Sequence, residues 1–124
     1  MSNIEQNHAE LEDRSIEQES YYQVLTTLDD SAKARKLAGR IIKKGLAACV
    51  QLMPSVSSVY RWQGKILEEA EILLFIKTTG ACLEDLSEFL EAEHPYEIPE
   101  ILVFEAAGIS ESYAEWMQDE CSPK

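Results

Sequence analysis

An α+β fold built as one small domain is predicted by three observations. The apolar pattern alternates between a period of two and a period of 3.6 in the order strand, helix, strand, strand, helix, strand, with a short helix to finish. The 124 residues, 45% of them hydrophobic, supply one modest core and too little for two. The central strands carry apolar side chains on both faces, so the sheet has two sides to cover.

Residues 1–20 stand apart. They carry six acids against Arg14, and Ile4, Leu11 and Ile16 are too few to bury, so an acidic, disordered N-terminal tail is expected. The domain is expected over 21–119, with 120–124 as a C-terminal tail.

Tyr21 to Leu28 has the β-branched and aromatic content of a strand, and Asp29 and Asp30 offer an N-cap and favourable charge at a helix start. Ala34, Leu37, Ala38, Ile41 and Ile42 then form one helical stripe, and Gly45 closes the helix behind Lys43 and Lys44. Six of the eleven basic residues lie on this helix, which reads as a solvated outer face. Leu46 to Met53 is a nearly continuous apolar strand, after which Pro54 marks an edge position or a bulge. Val56, Ser58, Tyr60 and Trp62 share one side of the continuing strand. Gln63-Gly64-Lys65 turns the chain into a long hairpin whose return is Glu71 to Thr79. There Ile72, Leu74 and Ile76 point one way, and Leu73 and Phe75 the other. A second helix, Ala81 to Glu93, offers Cys82, Leu83, Leu86, Phe89 and Leu90 to the core and is ended by Pro95. The last strand is expected over Glu100 to Ala107. In the final helix Ser112 and Glu115 are spaced as a capping box, with Tyr113, Trp116 and Met117 packing inward.

That order is the ferredoxin-like β-α-β-β-α-β arrangement with an extended β2-β3 hairpin and a short C-terminal helix, and it places both crossover helices on one face. The other face would expose an apolar patch on the order of several hundred Å², which a monomer rarely leaves bare. Self-association is therefore expected, with the long hairpin covering a neighbour's edge strand.

Net charge of −12 excludes a nucleic-acid role, because phosphate neutralisation needs a basic surface. No apolar run approaches the ~20 residues of a membrane helix, and no secretory leader is evident, so a cytoplasmic protein is expected. Cys49, Cys82 and Cys121 are odd in number and lack a C-x-x-C pair, so neither a disulfide framework nor a zinc site is indicated. Cys49 reads as a small buried hydrophobe in an apolar strand, with a soft metal ligand as its other use, Cys82 as a core-facing helix residue and Cys121 as exposed. No serine-nucleophile elbow, phosphate-cradling glycine loop or H-E-x-x-H is present, and the first loop, Thr26 to Asp30, would repel phosphate. An enzyme is not expected.

The joint His94-Pro95-Tyr96-Glu97-Ile98-Pro99-Glu100 is the most informative stretch. Its two prolines stiffen a corner that gathers an imidazole, a phenol and carboxylates. Together with Gly45 to Val50, Ser58 to Lys65, Lys77 to Thr79 and Tyr113-x-x-Trp116, it resembles the CutA family of divalent-cation-tolerance proteins, in order and spacing from Val24 to Met117. The resemblance implies a PII-like homotrimer of metal homeostasis, with His94, Glu93, Glu97 and Glu100 at a position thought to bind Cu²⁺ or another divalent cation. One histidine is too few for a tight site, so low affinity or ligands from a neighbouring subunit are implied. Thr26 and Glu93 stand where some bacterial members have a cysteine and a second histidine. The alternative for His94 and the glutamates is local hydrogen bonding that holds a proline-rich bend.

Tyr60, Trp62, Lys77 and Tyr96 form a second group, able to line a cleft for a small anionic ligand or to serve as packing. Lys77, in an apolar strand, needs water or a carboxylate such as Glu97 or Glu100. The second function considered is a PII-like regulatory module that receives a small molecule or a partner protein at clefts between subunits; a third is a scaffold without a ligand.

Overall fold

A computed structural model describes residues 20–122, so the acidic segment ahead of Ser20 lies outside the described residues. The elements are β1 (Tyr21–Leu28), α1 (Ser31–Lys43), β2 (Cys49–Trp62), β3 (Lys65–Thr79), α2 (Gly80–Glu93), β4 (Leu102–Glu105) and α3 (Glu111–Glu120). The four strands form one antiparallel sheet in the order β2-β3-β1-β4.

Alternation on the strands decides which side chains meet the helices. Register pairs Val24 with Ile76 and Thr26 with Leu74, so these residues share a face. On it Val24, Leu28, Leu74 and Ile76 form one buried cluster with Ala34, Leu37 and Ile41 of α1 and Leu86 and Leu90 of α2. Asp30 caps α1, its carboxylate accepting from the Lys33 N–H at 2.8 Å. Ile42 leaves the expected stripe and is 42% exposed, because it sits about 100° round the helix from Ile41.

The reverse face carries Leu25, Leu73, Phe75, Leu102 and Phe104, with Gln23 and Lys77 among them. Leu102 and Phe104 are about half exposed, so among the described residues no helix covers this part of the sheet.

Pro54 and Ser55 form a bulge. Register jumps between Met53, opposite Leu73, and Val56, opposite Glu71, and Ser55 takes φ 64°. Being at the sheet edge, β2 spares the proline a ladder hydrogen bond. The hairpin closes on Gln63 (φ 50°) and Gly64 (φ 80°), the pair of positive φ values that matches strand twist in a two-residue turn.

Four expectations are corrected. Leu46, Ala47 and Ala48 are buried but precede β2, which begins at Cys49. β4 is shorter than Glu100 to Ala107, since its pairing with β1 spans only Leu102 to Glu105. The cap of α3 is Ser110, not Ser112, and it makes no side-chain cap bond; Met117 is buried while Tyr113 and Trp116 stay about 40% exposed. Cys121 is buried with Cys82, Ala48 and Met117, so packing continues beyond residue 119 where a tail was expected.

Candidate functional site: an acidic, aromatic cleft

The bulge takes up one extra residue of β2, so Val56, Ser58, Tyr60 and Trp62 share the reverse face with Leu67, Glu69 and Glu71 of β3. The loop after α2 folds over the same side, and between them lies a cleft of about 680 Å³. Asp29, Glu69, Glu71, Glu97 and Glu100 line it with Tyr60, Trp62 and Tyr96, and among the described residues no lysine, arginine or histidine joins the lining.

His94 organises one wall from behind. Pro95 ends α2 and His94 turns extended (φ −70°, ψ 134°), which swings its ring against β1. Nε2 lies 2.8 Å from the Thr27 carbonyl, which can only accept, so this nitrogen carries the proton. Nδ1 accepts the Tyr96 N–H at 3.1 Å. Both ring nitrogens are thus used inside the fold, and the residue is only 8% exposed. Burial lowers its pKa, overcoming the opposite pull of the Thr27 bond and of Glu71 and Asp29.

Tyr96, fixed by that bond and by edge contact with the His94 ring at 4.8 Å, donates its hydroxyl to Glu71 at 2.8 Å. Burial alone would raise the Glu71 carboxyl. Hydrogen bonds from Ser58, Tyr96 and Thr27 outweigh it and hold the pKa below the usual value. Burial and the neighbouring carboxylate push the Tyr96 phenol well up, so it remains a donor. Tyr60 donates to Glu69 at 3.1 Å.

The expected site residues therefore separate. Glu97, Glu100, Tyr60, Trp62 and Tyr96 meet at the cleft. Glu93 turns to α1 and pairs with Arg40 at 2.5 Å, which holds its carboxyl below the ordinary value. Among the described residues Lys77 pairs with no carboxylate: its ammonium donates to Gln23, its cross-strand partner, and it lines a different recess with Tyr22 and Phe104. Cys49 is half-buried opposite Lys77, away from the cleft lining. Thr26 faces the helix-covered core, 0% exposed, while Thr27 faces the cleft.

Among the described residues no three His, Cys, Asp or Glu side chains converge as a ready ligand set. The imidazole has no free lone pair, and carboxylate oxygens are what the cleft offers a cation.

Glu71, Glu69, Ser58, Thr27 and Asp29 were missed by sequence reasoning. A signal existed: a two-residue Gln-Gly turn pairs Tyr60 with Leu67 and Ser58 with Glu69, so counting back from it puts both glutamates beside the aromatics.

The fold and cleft define a small α+β protein with a hairpin-walled groove lined by carboxylates and aromatic rings. The family model "CutA1 divalent ion tolerance protein" matches residues 22–120, and the chain belongs to that family. Protein CutA, chloroplastic, of Arabidopsis thaliana is 40% identical over 96 residues, 77% of this chain and 53% of the relative, so the chain spans about half that protein's length. The divalent-cation tolerance protein CutA of Thermus thermophilus is 38% identical over 96 residues, 77% of this chain and 93% of the relative. CutA1 from Oryza sativa superposes with a TM-score of 0.80 at 37% identity, covering 83% of this chain and 94% of that one. CutA from Synechococcus elongatus in complex with a Bis-Tris molecule superposes with a TM-score of 0.76 at 36% identity, covering 82% and 93%.

Proposed function

We propose that the chain is a non-enzymatic protein of divalent-cation homeostasis, whose cleft takes a cation such as Cu²⁺ weakly through Glu97, Glu100, Glu69 and Glu71. The observation that carries this reading is the cleft lining itself, five carboxylates with no basic side chain among the described residues. Membership of a family described by divalent ion tolerance is in keeping with it. His94, named beside Glu93 as a ligand by resemblance, serves as the prop that positions Tyr96 and, through it, Glu71. A neutral ring held at both nitrogens has no electron pair to give.

The working unit in this reading is a homotrimer of ferredoxin-like domains, assembled on the apolar reverse face where Leu102 and Phe104 stand half exposed. The cleft opens on that same face, so a second copy would narrow it and add ligands. A cytoplasmic setting accords with a chain in which no helix of the described residues is long and apolar enough to cross a membrane.

Copper titration of the full chain tests the ligand assignment. Binding is expected to weaken in Glu97→Gln/Glu100→Gln and to persist in a folded His94→Gln variant. Loss in His94→Gln with full retention in the double variant would reinstate the imidazole as ligand and sink the carboxylate reading.

A second reading rests on Tyr60 and Trp62. Aromatic walls with carboxylates suit an organic ammonium ion, and the Synechococcus relative is described with Bis-Tris, an amine. As a PII-like regulatory module the protein would bind such a molecule or a partner protein. Thermal stabilisation by organic amines that survives a chelator is the outcome that favours it.

A further inference from the structure

We propose that the outer face of α1 is the docking surface for the acidic segment ahead of Ser20 of the same chain.

Lys33, Lys36, Arg40 and Lys43 follow one another at intervals of three or four, and Lys44 extends the row, so they share one stripe. Lys33, Lys36, Lys43 and Lys44 are exposed. The helix from Ser31 to Lys43 contains no acid, in a chain that carries 23 acids against 11 bases. Like charges at this spacing repel, and only Arg40 finds an anion, Glu93, as an ion pair among the described residues. The helix dipole accounts for cations in the last turn, Arg40 and Lys43, but disfavours Lys33 and Lys36 in the first half.

The exit point of the segment lies at the right end of α1. The Ser20 carbonyl accepts the Gly80 N–H at 2.8 Å, and the Cys82 thiol donates to the Gly45 carbonyl at 3.6 Å. Gly80 and Cys82 are two positions apart in the first turn of α2, ~3 Å of rise. Gly45 follows Lys44 directly. In the sequence Glu19 and Glu17 come one and three residues before Ser20, and Asp13, Glu12, Glu10 and Glu5 come earlier. The nineteen residues ahead of Ser20 reach roughly 60 Å when extended, against roughly 20 Å for α1, so the segment can run back along the helix with length to spare. Its six acids and single arginine complement the stripe in sign.

Zero-length carbodiimide coupling of the full chain, mapped by peptide mass spectrometry on a mixture of isotopically heavy and light copies, tests this. Products are expected to join carboxylates of residues 5–19 to Lys36, Lys43 and Lys44 of the same copy. They should vanish at ~0.5 M salt, where the screening length falls to a few Å. Lys36→Glu/Lys43→Glu should abolish them, Lys36→Gln/Lys43→Gln should reduce them, and Lys65→Glu at the hairpin tip should leave them unchanged. Coupling to Lys65 as often as to α1 overturns the proposal, as does coupling that survives both double variants. Products that join only heavy to light copies overturn it too, because the helix then serves another copy's segment.

Discussion

At the scale of single residues, His94 is the side chain on which the cleft wall depends. Its Nε2–H is satisfied by Thr27 and its Nδ1 by the Tyr96 amide, so removing the ring leaves a carbonyl and an N–H without partners in a closed space. His94→Ala is expected to cost about 2 to 4 kcal/mol in urea unfolding, and to release the Tyr96 hydroxyl from Glu71. The same residue gives stability a pH dependence. Burial lowers the folded pKa, so the native state binds fewer protons than the unfolded chain, whose histidine titrates near ~6.5. The contribution is complete above that value and is lost as pH falls below it. Glu71, also depressed on folding, adds a second loss at pH below ~4.5. Urea midpoints should therefore fall between pH 7.5 and 5.5, and that step should be absent in His94→Gln. The importance of His94 was legible in the sequence as a lone imidazole at a proline-stiffened corner. Its role was not, because only the fold brings the Thr27 carbonyl to a residue 67 positions away.

Among the elements, the two turns with positive-φ glycines respond differently to one substitution. At Gly64 (φ 80°) an added Cβ meets nothing within 4 Å, so Gly64→Ala should cost only the ~1 kcal/mol of the left-handed backbone. At Gly45 (φ 71°) the Cβ would fall 1.8 Å from the Ser122 carbonyl oxygen, so the chain after α3 must move as well. Gly45→Ala is expected to lower the urea midpoint more than Gly64→Ala and to raise thiol labelling of the buried Cys121, whose pKa burial pushes up to about 11. Strands, helices and turns were readable because alternation, helical spacing and glycine placement are local. The ends of β4 and the cap of α3 were not, since the first is set by how far β1 can pair and the second by where the loop from β4 delivers the chain.

For the molecule as a whole, the apolar reverse face of the sheet dominates. Apolar residues on both sides of β3 foretold it, and Phe104, 50% exposed, stands at its edge strand. Phe104→Glu is expected to convert the proposed trimer into a species near the chain mass of 14.0 kDa by light scattering, with the helix-side core intact. If the wild-type chain already runs at that mass, the assembly proposed here is wrong. The division between acidic cleft and lysine recess escaped sequence reading for a related reason. Tyr60 and Lys77 project from the same side of the sheet but at different distances along it, and only register fixes those distances.

The extra residue at Pro54-Ser55 bends the hairpin without deciding which of its side chains share a face. From Met53 to Trp62 β2 has ten residues against the nine of β3 from Lys65 to Leu73, so deleting Ser55 would leave every distal pair, Tyr60 with Leu67 included, in register and on its present face, and would remove only the bend and added twist of the bulge. The loss of that one codon would therefore keep the inventory of side chains along the cleft and alter only the angle at which the hairpin carries them, leaving the helix-packed core untouched.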